Sequence, residues 1–209
     1  MYVEKNPATL NQDFLEALAT GRAPDLISLP HDELLKQADK LYVIPEETLP
    51  RRTYQDTFIR GASIAYTQGG AYGLPLYVDP LVLYYNPDLL TNANLARPPK
   101  TWTELQAAVT ALTKADTKGT LSQSAIALGL FSNIRHAKDI LALLLLQAGN
   151  PVVLEREDGV RQVVLKESLG FSRPPAGEAI GFFLRFIDPA NSLYSWNSGQ
   201  PEARDAFAR

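Results

Sequence analysis

Three observations on this sequence predict an α/β fold. Apolar runs of strand length recur, at residues 25–29, 125–130 and within 74–85. Between them lie longer stretches whose apolar residues repeat every three or four positions, the spacing of one helix face. The order strand, loop, helix then favours a parallel sheet with helices packed on its faces.

The elements follow in chain order. Asn6-Pro7-Ala8-Thr9 opens a helix, with Pro7 tolerated in the first turn and Asn6 or Thr9 as the cap. Leu10, Phe14, Leu15 and Leu18 keep helical spacing, and Gly21 stands where a left-handed C′ residue belongs. Residues 25–29 read as a short buried strand, after which Pro30-His31-Asp32 turns into a helix carrying Leu34, Leu35 and Ala38. A loop rich in Pro and Glu leads to a helix over 58–65, broken by the glycines at 69, 70 and 73. The apolar run 74–85 is interrupted only by Asp79-Pro80. Thr101 and Glu104 form a capping box, and Leu105, Ala108, Val109 and Leu112 give the following helix one apolar face. Residues 125–130 are a buried strand, and 134–148 a nearly all-apolar helix ended by Gly149. Residues 151–154 and 160–165 flank Glu157-Asp158-Gly159, a hairpin turn sequence. Helices near 179–187 and at the C-terminal end complete the chain.

Composition narrows the function. With 209 residues, 45% hydrophobic and 21% charged, the chain has the make-up of a folded domain able to bury a core. Net charge is −3 and no basic stripe exists to neutralise phosphates, which argues against nucleic acid as a partner. Cysteine is absent, so disulfides and thiol chemistry are excluded. The longest apolar run, 140–146, falls far short of the roughly 20 residues that span a bilayer.

Four sets of residues carry candidate chemistry. Asp79 is a lone carboxylate in an apolar run, which is either a chain corner facing water or an acceptor for a ligand. Tyr77, Tyr84, Tyr85, Trp102 and Trp196 can cover the C–H faces of a sugar ring or fill a core, and the core is the better place for Trp102. Ser132-Asn133, between a strand and an apolar helix, suits either helix capping or a hydroxyl-rich ligand. His31-Asp32 has the same position after the earlier strand. Enzyme signatures are missing: there are two histidines, at 31 and 136, and no zinc motif, nucleophile elbow, phosphate loop or dinucleotide fingerprint. No metal or cofactor is therefore expected.

Tyr84-Tyr85-Asn86 with Asp88-Leu89-Leu90, then Pro99-Lys100-Thr101-Trp102-Thr103-Glu104-Leu105, resembles a segment of the extracellular solute-binding proteins of bacterial ABC importers. The subgroup is that of the maltose- and multiple-sugar-binding proteins. Residues 17–26 resemble that family's helix–turn–strand opening, and Tyr194-Ser195-Trp196-Asn197 with Ala206-Phe207-Ala208 resembles its later part. The resemblance implies a periplasmic-binding-protein type II architecture, two lobes joined by hinge crossovers. Lobe one would be residues 1–78 and lobe two 79–209, both incomplete, with the signal segment outside this chain. It also implies a non-catalytic role: capture of a sugar or oligosaccharide between the lobes, for delivery to the transmembrane subunits of an ABC permease. The place would be periplasmic or extracellular and membrane-anchored, as for a lipoprotein. The implied ligand contacts are Asp79, Tyr77, His31, Asp32, Ser132, Asn133 and Trp196, with Asp79 accepting from sugar hydroxyls at the crossover. A carbohydrate-active or other α/β enzyme of the same two-lobe form is the alternative, since a fold alone does not set a function. A ligand-sensing domain of a regulator is a third reading.

Overall fold

The computed structural model describes residues 2–34, 36–156 and 160–208. The chain divides into two units, Met1–Asp79 and Pro80–Arg209.

The first unit begins with α1 (Leu10–Ala19), whose C-terminus closes as a Schellman motif. The Arg22 amide donates to the Ala17 carbonyl (2.8 Å) and the Gly21 amide to that of Leu18 (3.1 Å), which requires Gly21 at φ 66°. At the other end Asn6 Oδ1 accepts from the Ala8 amide (3.0 Å), so Asn6 shapes the entry turn while Thr9 occupies the N-cap without a side-chain bond. After α1, α2 (His31–Leu34) is a single turn.

The helix expected over 58–65 is instead α3 (Arg51–Thr57) followed by a 3₁₀ segment, Arg60–Ala65. Strands β1 (Ile44–Pro45), β2 (Tyr66–Thr67) and β3 (Gly70–Ala71) form an antiparallel sheet in the order β1-β3-β2. Gly70 holds φ 130°, and a Cβ there would collide with the Ile44 carbonyl oxygen, so glycine lets β1 approach. The core is Tyr54, Ala62, Tyr66 and Ala71, backed by Ile44, Leu49 and Phe58. Tyr66 donates its hydroxyl to the Leu49 carbonyl (2.8 Å) and lies 4.6 Å from the Arg51 guanidinium. The Tyr54 hydroxyl lies 3.2 Å from both the Ala62 and the Gly73 carbonyl oxygens, and burial raises its pKa.

The second unit opens with α4 (Pro87–Asn92), capped by Asn86, whose Oδ1 accepts from the amides of Asp88 (2.9 Å) and Leu89 (3.2 Å). The next helix, α5 (Trp102–Leu112), starts at Thr101, whose Oγ1 accepts from the Glu104 amide (3.2 Å). A short hairpin pairs β4 (Lys114–Ala115) with β5 (Leu121–Gln123). The apolar helix is α6 (Ala137–Gln147), and it ends in a second Schellman motif with Gly149 at φ 91°. There Asn150 donates to the Leu145 carbonyl (2.9 Å) and Gly149 to that of Leu146 (3.1 Å). Strands β6 (Val153–Glu155) and β7 (Arg161–Val163) pair antiparallel, as the hairpin pattern predicts, while its turn, 157–159, lies outside the described residues, as does Leu35. Helix α7 (Pro175–Leu184) packs on α6, and α8 (Ala203–Phe207) closes the chain. The core joins Leu105 and Val109 of α5, Leu144 and Leu145 of α6, Phe183 of α7 and Phe186 of the 3₁₀ turn Arg185–Ile187 that follows it.

The mixed helix and strand content stands, but the parallel sheet does not: every strand pairing among the described residues is antiparallel. Residues 25–29 and 74–85 form no strand and join no backbone ladder, and Leu26 is 91% exposed. Apolar composition supplies one face of a strand; without a neighbouring ladder the backbone groups stay with water. Residues 125–130 are likewise not a strand. They are fixed by side chains, as the amides of Ala125 and Ile126 donate to the buried Ser195 Oγ (2.9 and 3.0 Å).

Candidate functional site

In the second unit the loop between residues 130 and 137 and the loop entering α8 form the two walls of a cleft of about 410 Å³. Phe131, Ser132, Asn133, Ile134 and Arg135 line one wall; Glu202, Arg204 and Asp205 line the other. That volume lies in the range of small-ligand sites, roughly 300–1,000 Å³.

Asn133 holds the walls together. Its Nδ2 donates to the carbonyls of Asn197 and Gln200, both at 3.0 Å. Its Oδ1 accepts from the Trp196 indole N–H (2.9 Å), and its backbone carbonyl accepts from the Ala203 amide (2.9 Å). The Trp196 amide and that of Ser195 both donate to the Phe186 carbonyl (3.0 and 2.9 Å), which ties this loop to the core. The second wall is capped by Glu202, whose Oε2 accepts from the Arg204 amide (2.9 Å). The open side chains are those of Phe131, Ser132, Arg135, Arg204 and Asp205. Phe131 is 58% exposed, its ring set edge-to-face against Phe183 at 6.0 Å between centroids.

The sequence-predicted residues fall into two groups. Ser132 and Asn133 line this cleft, with Trp196 in the core behind Asn133, and only Ser132 presents a free side chain. Trp196 is 2% exposed, so its ring faces belong to the core and it is not a stacking surface. The Asn133 side-chain amide bonds to protein partners, the Asn197 and Gln200 carbonyls and the Trp196 indole. His31 and Asp32 lie in the single turn α2, both exposed, and the strand expected before them is absent. Asp79 and Tyr77 lie in the irregular run 74–85, exposed, with Tyr77 at 81%.

Phe131, Arg135, Glu202, Arg204 and Asp205 were not singled out from the sequence. Phe131 and Arg135 flank Ser132-Asn133 and had that local signal; the α8 residues had none, because only the tertiary bonds of Asn133 bring them to the loop. The first unit has a hollow of about 450 Å³ beside α1, whose Lys5 and Asp13 pair with each other at 3.0 Å. Among the described residues no cluster of three or more His, Asp or Glu side chains is placed to hold a metal ion, and no helix is long and apolar enough to cross a membrane.

Comparison with known proteins adds three findings. A family model described as bacterial extracellular solute-binding protein matches residues 3–209. The maltodextrin-binding protein MdxE of Bacillus subtilis (strain 168) is 33% identical over 99 residues, which are 44% of this chain and 21% of that protein. The solved structure of CpMnBP1 with mannotriose bound is 23% identical, with a TM-score of 0.49, over 83% of this chain and 43% of that one. The chain therefore spans less than half the length of either relative.

Proposed function

This chain belongs to the bacterial extracellular solute-binding protein family, and from that premise we propose that it captures a sugar or oligosaccharide for an ABC importer. The family match over residues 3–209 carries the reading. The maltodextrin specificity in the name of the Bacillus relative supports the ligand class. The cleft supports it chemically, with an exposed aromatic ring beside hydroxyl, guanidinium and carboxylate groups, the set that covers a sugar's C–H face and its hydroxyls.

In this reading Asp79, Tyr77, His31, Asp32 and Ser132 contact the ligand, while Asn133 and Trp196 position the cleft. Residues 1–78 and 79–209 belong to lobes one and two. The transmembrane subunits of a permease receive the solute, and the protein works in the periplasm or outside the cell, anchored to the membrane. The family is one of binding proteins rather than enzymes. The ligand accordingly leaves as it entered.

Calorimetry of the purified protein against a panel of mono- and oligosaccharides, followed by chromatography of the recovered ligand, tests the proposal. Saturable binding with unaltered sugar is expected. Chemically altered sugar, or binding of peptides alone, overturns it.

A further inference from the structure

We propose that the cleft of the second unit selects a saccharide bearing a carboxylate, a uronic acid, over its neutral counterpart; this rests on the sugar-capture reading above. The observation is the state of its arginines. Arg52, Arg97, Arg161 and Arg173 each sit in an ion pair with a carboxylate. Arg22 and Arg51 donate to protein oxygens. Arg60, Arg135, Arg185 and Arg204 have no printed side-chain partner among the described residues, and of these Arg135 and Arg204 line this one cleft, from opposite walls.

A guanidinium presents a planar fork of donors that matches a carboxylate in two-pronged fashion with opposite charge on both sides, whereas a sugar hydroxyl offers it a single neutral acceptor. The cleft also holds two acids, Glu202 and Asp205. Glu202 spends one oxygen on the Arg204 amide as the cap of α8. Asp205 accepts hydrogen bonds only, which suits the hydroxyls of a sugar ring and not its carboxylate. The Ser132 hydroxyl adds a donor and an acceptor, and the exposed Phe131 ring offers a surface for the apolar face. A uronic acid uses both signs of charge: its carboxylate meets the arginines and its hydroxyls meet Asp205 and Ser132. A neutral sugar leaves the strongest donors of the cleft with weak acceptors.

The test is calorimetry on the full chain with galacturonate and glucuronate mono- and disaccharides against galactose, glucose and maltose at one ionic strength. The uronates are expected to bind about ten- to a hundredfold more tightly, the value of one or two charge-assisted bonds. Arg135→Gln and Arg204→Gln each weaken uronate binding about tenfold more than neutral-sugar binding, while Arg204→Lys, which keeps the charge, restores part of the preference. Equal or tighter binding of neutral sugars, indifferent to both substitutions, overturns the inference and leaves the sugar-capture reading in place. Failure of every sugar, acidic and neutral, to bind overturns both.

Discussion

Replacing Asn133 by alanine tests whether the cleft is built as described. The substitution deletes two donated bonds, to the Asn197 and Gln200 carbonyls, and the acceptor of the Trp196 indole N–H. The two carbonyls belong to half-buried residues and regain water, so each loss costs about 0.5–1 kcal/mol. The indole is different. Trp196 is 2% exposed, and a buried donor left without a partner costs about 1–3 kcal/mol. The sum is roughly 2–5 kcal/mol, or a fall in melting temperature on the order of 10 °C for a domain of this size.

Urea unfolding followed by tryptophan fluorescence reads this directly, since both tryptophans, Trp102 and Trp196, lie in the second unit. The Trp196 emission of the folded state also shifts when its N–H bond is lost, which a loss at a distant site does not produce. A change in stability below about 0.5 kcal/mol, the level of an unremarkable surface substitution, refutes the argument. So does an unaltered emission spectrum in the folded variant. Either outcome means that Asn133 is solvated and free to touch a ligand, as the sequence first suggested.

Three further outcomes follow from single sites. The Arg97 fork (2.8 and 3.0 Å) and the Lys100 amide (2.7 Å) hold the Glu104 carboxyl down at about 2, so its contribution to stability is full above its usual 4.5 and is lost as pH falls from there toward 2. The difference in urea midpoint between the native chain and Glu104→Gln, present at pH 7, should vanish near pH 2, and a difference that persists there sinks the assignment. Gly129→Ala should cost more than about 2 kcal/mol, because φ is 96° and the new Cβ would sit 2.6 Å from Ile187 Cγ2 and 3.0 Å from the Phe183 carbonyl oxygen; a melting temperature within a degree of the native value contradicts this. Asp79 is exposed, so Asp79→Ala should leave the fold intact and weaken sugar binding about ten- to a hundredfold by calorimetry; unchanged affinity makes it a solvated corner.

Local chemistry was the legible part of this sequence. Gly21 and Gly149 were read as helix stops, and both sit at positive φ in Schellman motifs, because a left-handed cap needs only a residue without a Cβ at the right place. The capping box was half legible. Thr101 accepts from the Glu104 amide, but the Glu104 side chain turns to Arg97 and the Lys100 amide, where a guanidinium outcompetes a neutral N–H. Strands outside the β6–β7 hairpin were the illegible part. The run 74–85 holds Leu76 and Tyr77 at 79% and 81% exposure, and no apolar pattern states whether a partner ladder lies beside it. The motifs that carry the family resemblance only begin at the end of this run, with Tyr84-Tyr85, and continue from Asn86 to Leu105 into α4 and α5.

The site divides along the same line. Ser132-Asn133 drew attention because small polar residues stood between an apolar run and an apolar helix, and the cleft does form there. Asn133 and Trp196 are held by one bond. Each has polar groups that a ligand could use, but the amide of Asn133 and the indole of Trp196, 63 residues apart in sequence, satisfy one another inside the fold. Once that bond forms, Trp196 is buried, and the two remaining donors of Asn133 are aimed at the loop that enters α8. The second wall, with Arg204 and Asp205, is a consequence of that bond and has no signature of its own. Side chains that look most suited to a ligand can therefore be the ones that build the cleft, leaving ligand contact to flanking residues such as Phe131 and Arg135. Arg135→Gln, which should change specificity without changing stability, and Asn133→Ala, which should change both, separate the two roles.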